Sequence, residues 1–91
     1  MIMKCIQLII CGRVQGVFFR DNTRRKAIEL GLKGYVKNLP NENVEAVAQG
    51  DEDKLQELID FIRKNPGMSK VTGIETKNRK AEKFESFEIR H

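Results

Sequence analysis

At 91 residues and 10.5 kDa the chain can bury one hydrophobic core, hiding somewhat over ~60% of its unfolded surface, so residues 1–91 read as a single domain. Apolar residues at 40%, charged residues at 33% and only two prolines exclude a disordered or low-complexity chain. A net charge of +4 favours an anionic partner without choosing between a small phosphate and a nucleic acid.

The opening run MIMKCIQLIIC is apolar, but Lys4 and Gln7 interrupt it and no small-residue cleavage site follows. A secretion signal or a membrane span is therefore not expected, and a cytoplasmic protein is. Ile6, Leu8 and Ile10 recur at period two, which predicts a strand from about residue 4 to 11. Extended chain between Cys5 and Cys11 separates their Cα atoms by roughly 20 Å, against a limit of about 7 Å for a disulfide, so both are expected as buried or half-buried free thiols. His91 is the only histidine, and no Cys/His spacing suits a metal site.

GRVQGVFFR follows, at residues 12–20. DNTRRKAIELG then predicts a helix: Asp21 or Asn22 can cap it, Thr23, Ala27 and Leu30 share a face, and Gly31 ends it. KGYVKNL and VEAVAQG are strand-like and flank PNEN, a turn in which Asn41 or Asn43 could take a left-handed conformation. Leu55, Leu58, Ile59 and Ile62 then mark an amphipathic helix with acids in its first turn, stopped by Asn65-Pro66-Gly67. KVTGIET and FESFEIR are the last strands, and the broken alternation at GIE predicts a bulge near Gly73. The clusters Arg24-Arg25-Lys26 and Lys77-Asn78-Arg79-Lys80 fit a solvated helix face and a turn between strands at least as well as phosphate-backbone contacts.

Strand, helix, strand, strand, helix, strand is the order of two β-α-β halves. The expected fold class is therefore α+β: a ferredoxin-like βαββαβ sandwich, an antiparallel sheet with two helices on one face and a short extra C-terminal strand.

In that frame the loop at residues 12–20 has a physical reading. A strand end running into a helix start offers unpaired N–H groups beside the positive end of the helix dipole, which suits an anion. Gly12 and Gly16 let the backbone curl with φ values that other residues resist and leave no side chain in the way. Arg20 at the helix entrance can lay a guanidinium against phosphate or carboxylate. Phe18 and Phe19 cannot both face the guest, so at least one anchors the loop in the core. An ordinary strand-to-helix turn with Arg20 as a surface charge fits the spacing equally well. A nucleotide P-loop does not fit, because no Gly-Lys-Ser/Thr follows.

The stretch Ile10-Cys11-Gly12-Arg13-Val14-Gln15-Gly16-Val17-Phe18-Phe19-Arg20 resembles the signature loop of the acylphosphatases, and Gly34-Tyr35-Val36-Lys37-Asn38 resembles that family's second signature. Thr23, Ala27, Leu30, Gly31 and Leu32 also fall where the family has them, so the resemblance spans essentially the whole chain. Glu42 departs from it, standing where the family has a hairpin glycine; Asn41 or Asn43 is expected to supply the positive φ instead.

The resemblance implies a hydrolase cleaving the carboxyl-phosphate bond of small acyl phosphates, with no metal and no cofactor. It implies that Arg20 and the main-chain amides of Gln15, Gly16, Val17, Phe18 and Phe19 bind the phosphate, and that Asn38 positions the attacking water. Arg13 has no implied role and reads as surface, and Asp21 is expected to cap the helix from outside the cradle. The implied partners are acyl phosphate and inorganic phosphate, not a nucleic acid or a membrane, and a monomer is expected. The physiological acyl group is not specified. The alternative is a non-catalytic RNA-binding module of the same fold, suggested by KGYVKN, although that motif would lie on the third strand and here falls on the second.

Overall fold

A computed structural model describes residues 3–91; Met1 and Ile2, the first two residues of the opening apolar run, lie outside the described residues. Its elements run β1 (Met3–Arg13), α1 (Phe19–Glu29), β2 (Lys33–Asn38), β3 (Val44–Asp51), α2 (Glu52–Arg63), β4 (Lys70–Asn78) and β5 (Phe87–Arg90). They form one five-stranded sheet in the order β4-β1-β3-β2-β5. The first four strands pair antiparallel, and β5 joins β2 in parallel. This is the ferredoxin-like α+β sandwich, with the extra strand added at the β2 edge.

Alternation on each strand sorts the side chains. Ile6, Leu8 and Ile10 of β1, Val36 of β2 and Val44, Ala46 and Ala48 of β3 enter one buried cluster with residues of both helices. Both helices therefore cover the same face of the sheet. The alanines of β3 are small enough to admit α2, whose Leu55, Leu58, Ile59 and Ile62 are all buried, as their spacing predicts. Asp51 caps α2 by accepting a hydrogen bond from the Asp53 amide at 3.0 Å.

α1 starts three or four residues earlier than a cap at Asp21 or Asn22 predicts. Its cap is Phe18 in a left-handed conformation (φ 60°, ψ 20°), with no capping side chain, because the loop's own curl delivers the backbone into the helix. Asp21 and Asn22 thus lie inside the first turn and do not cap it. The helix ends as expected at Gly31 (φ 73°): the Gly31 amide donates to Ile28 O at 3.0 Å and the Leu32 amide to Ala27 O at 2.9 Å, the paired bonds of a Schellman motif.

The opposite face carries a smaller cluster of Cys5, Tyr35 and Val47 under Phe84. FESFEIR is therefore only half a strand, since β5 begins at Phe87 and Phe84 belongs to a strap, residues 79–86, laid across this face. Gln49 Nε2 donates to Glu82 O and the Glu82 amide to Gln49 Oε1, both at 2.9 Å. The Arg79 amide donates to Cys5 O at 2.9 Å, while its guanidinium reaches the Tyr35 hydroxyl at 3.2 Å and Glu82 at 2.9 Å. Arg79 is thus a structural tie and not merely part of a charged turn. Cys5 is buried and Cys11 half-buried, both as free thiols, and burial pushes the Cys5 thiol pKa up.

Candidate active site

The site grows from a bulge. Pairing of β1 with β4 slips between Cys11 (opposite Gly73) and Gly12 (opposite Val71), leaving Thr72 as the extra residue beside Gly73. Gly12 takes φ 124°, and a Cβ there would stand 2.1 Å from Lys70 O, so no other residue fits this corner. The chain leaves the sheet here and curls through Gly16 (φ 71°) and Phe18 (φ 60°) into α1. Phe19 turns inward and is 1% exposed, while Phe18 turns outward and is 79% exposed, so Phe19 is the anchor.

Topology then decides what faces the loop. β1 and β2 both run antiparallel to β3, which lies between them, so they are parallel to each other and their C-terminal ends share one end of the sheet. Asn38 is the last residue of β2, on the same face as Val36 and hence on the helix side. β5 is parallel to β2 and brings Arg90 to the same end.

These ends enclose a cleft of about 280 Å³ lined by Val14, Gly16, Phe18, Arg20, Asp21 and Asn38. Of the seven residues singled out from sequence, Gly16, Phe18, Arg20 and Asn38 meet here. Phe19 lies in the core beneath. Val17 is half-buried and does not line the cleft. The Gln15 side chain is turned away altogether: its Nε2 donates to Leu39 O and Asn43 O, both at 2.9 Å, bolting the loop to the β2–β3 hairpin. Val14 and Asp21 line the cleft although sequence reasoning placed neither there; Val14, which is 1% exposed, continues the apolar face of β1 past the bulge.

The electrostatics suit an anion. Among the described residues Arg20 has no carboxylate partner; its Nη1 lies 3.4 Å from Arg90 O and 3.3 Å from His91 Nδ1. Asp21, the one acid in the cleft, is bound by Arg25 at 2.6 Å. It sits in the first helical turn, not outside the cradle, and Arg25 offsets its charge. Arg25 is solvated, as expected of the basic cluster, whereas Lys26, paired with Glu29 at 3.5 Å, is half-buried with its ammonium 5.6 Å from the Phe61 ring centroid. Among the described residues no protein acceptor takes a hydrogen bond from the amides of Gln15 to Phe19. Asn38 Oδ1 is buried and likewise has no partner. A buried oxygen left without a partner costs about 1–3 kcal/mol and calls for an explanation, whereas the loop amides remain available to a guest.

The hairpin departs from expectation. Glu42 itself takes the positive φ (71°), not Asn41 or Asn43. Asn41 instead accepts from the Asn43 amide at 3.2 Å through Oδ1, and the Glu42 amide donates to Leu39 O at 3.2 Å. These local bonds hold Glu42 in place.

Tyr35 offers no stacking platform for RNA. It is 7% exposed, Arg90 lies 4.0 Å above its ring centroid, Phe84 meets it edge-on at 6.3 Å, and its hydroxyl donates to Glu45 at 3.0 Å. Among the described residues no group of His, Cys, Asp and Glu could hold a metal ion, and no helix is long and apolar enough to cross a membrane.

The fold and this cleft define a small ferredoxin-like α+β protein with an anion-suited pocket at the parallel ends of β1 and β2. Comparison with known proteins narrows the class. The acylphosphatase family model matches residues 6–89. An acylphosphatase of Dehalococcoides mccartyi strain CBDB1 is 46% identical over 98% of this chain and all of its own length. Solved acylphosphatases from Coxiella burnetii (38% identity, TM-score 0.92, 97% of this chain and 93% of that one) and Bacillus subtilis (34%, 0.93, 99% and 100%) share the architecture. This chain belongs to the acylphosphatase family and is an enzyme of that class, hydrolysing acyl phosphates.

Proposed function

We propose that the cleft hydrolyses the carboxyl-phosphate bond of small acyl phosphates by direct attack of water at phosphorus. In this reading the amides of Gln15, Gly16, Val17, Phe18 and Phe19, at the N-terminus of α1, bind the phosphoryl oxygens, and Arg20 adds a guanidinium. Asn38 orients the water. The observation that carries the proposal is that Asn38, whose Oδ1 has no protein partner, and Arg20, which has no carboxylate partner among the described residues, line one cleft.

The chemistry asks for little more. A carboxylate leaving group whose conjugate acid has a pKa of about 4–5 departs without protonation, so no general acid is required. Phosphoryl transfer is largely positioning and charge stabilisation, and a ring of amides, a guanidinium and one carboxamide supply both. Asn38 is not a base; its Oδ1 accepts a hydrogen bond from water and fixes the direction of attack. The water proton passes to a phosphate oxygen of the substrate.

Phosphate release from acetyl phosphate in the presence of EDTA tests the activity directly, and turnover is expected. Arg20→Gln should lower kcat/KM at least about a hundredfold, equivalent to roughly 3 kcal/mol, since the contact strengthens toward the transition state. Turnover that needs an added metal, or survives this substitution, overturns the proposal.

A further inference from the structure

β4 ends the sheet, and among the described residues no strand lies on its outer edge. The phase of its hydrogen bonds follows from one contact. The Arg79 amide donates to Cys5 O at 2.9 Å, continuing the register that sets Ile6 against Asn78, so Glu75 and Lys77 turn their N–H and C=O groups toward β1. Ile74, Thr76 and Asn78 turn theirs outward. This row stands clear of the bulge beside Gly73 and is a template for another strand.

The side chains decide which strand fits. Ile74 opposes Ile10 of the core and faces the helices, so Glu75 and Lys77 share the opposite face of the sheet. Both are exposed, and among the described residues neither enters an ion pair. A lone edge lysine repels a second copy; Glu75 beside it turns that repulsion into a register. With a two-fold axis at Thr76, the outward groups of Thr76 bond to their own copies, those of Ile74 bond to Asn78 of the second copy, and Glu75 of each chain stands against Lys77 of the other. Both ion pairs then occupy non-hydrogen-bonded positions, where opposing side chains lie closest. An axis at Ile74 sets Lys77 against Val71, and an axis at Asn78 sets Lys77 against Arg79, so neither pairs opposite charges. α2 leaves room for the newcomer, since a cleft of about 270 Å³ lined by Leu55, Gln56 and Ile59 of the helix and by Thr76 and Asn78 of the strand separates it from β4.

We propose that the β4 edge is a docking surface for a second copy of this chain, the two five-stranded sheets joining antiparallel about Thr76. The contact is short and polar, so the chain is the expected monomer when dilute and pairs when concentrated. The joining half of β4 lies opposite residues 6–10 of β1, away from the corner where Gly12 meets Val71, so both active-site clefts stay clear of the joint.

Sedimentation velocity from about 10 μM to about 1 mM, with amide hydrogen exchange at both ends of the range, tests this. A concentration-dependent dimer is expected, with the amides of Ile74, Thr76 and Asn78 gaining protection only when the protein is concentrated. Glu75→Lys or Lys77→Glu sets like charges against each other twice and should weaken dimerisation at least about tenfold, whereas the double variant Glu75→Lys/Lys77→Glu should return it to within about threefold of the wild type. Recovery in the double variant excludes misfolding as the cause of the single losses. A monomer throughout the range, which leaves the edge to some other chain, overturns the proposal. So does a dimer indifferent to both single charge variants, or one that protects none of the three amides.

Discussion

Asn38 illustrates how a residue proposed to serve the chemistry can be costly to the fold. Its carboxamide oxygen is desolvated without a protein partner, a cost of about 1–3 kcal/mol in the ligand-free protein. Replacing it with alanine should therefore leave the thermal midpoint unchanged or raised while kcat falls and inhibition by inorganic phosphate persists. Paired melting and inhibition curves check this; a lowered midpoint with normal turnover would make Asn38 a structural residue. Its neighbour Gln15 behaves in the opposite sense. Both Gln15 contacts are spent on backbone carbonyls of the hairpin, so Gln15→Ala should cost about 1–2 kcal/mol of stability, read from urea unfolding. Freed from the hairpin, the loop should also lose turnover.

Among the elements, the β2–β3 hairpin holds the clearest local conflict between residue and conformation. Glu42 at φ 71° carries a penalty of about 1–2 kcal/mol, against roughly 0.5–1 kcal/mol of extra chain entropy for a glycine. Glu42→Gly should therefore stabilise the protein by about 0.5–1 kcal/mol, a rise of a few degrees in Tm for a chain of this size. The helices show how far local pattern reaches. α2 was legible in its span because four apolar positions, acids in the first turn and the Asn65-Pro66-Gly67 stop all point the same way, while its Asp51 cap came only from the structure. α1 was legible in its body and end but not in its start, since polar residues suited to a cap were overridden by a loop that enters the helix through Phe18.

For the molecule as a whole, the strap over the open sheet face makes a checkable connection between packing and thiol chemistry. Phe84 covers Cys5, and burial is the first cause of its raised pKa, with Glu82 adding to it and Arg79 opposing. Native Cys5 should resist iodoacetamide at pH 8, and Phe84→Ala should accelerate its alkylation at least about tenfold, followed by mass spectrometry. Cys11, half-buried, serves as the internal reference. Because the folded thiol holds its proton to higher pH than the unfolded one, its contribution to stability is complete below the ordinary thiol pKa. That contribution is lost as pH rises through the raised value.

The sequence by itself determined the order of elements, the faces they bury, the two glycine corners and the two signature stretches. Each of these depends on interactions within a few residues or on a period along the chain. Tertiary structure alone decided which of the loop residues meet. Arg20 and Asn38 stand eighteen positions apart and come together because β1 and β2, separated by β3, are forced parallel and end at one edge. It also decided that Gln15 ties the loop instead of lining the cleft, that Phe18 faces water while Phe19 anchors, and that Arg25 offsets the acid beside Arg20. These outcomes turn on pairings between distant segments, whose energies no local pattern encodes.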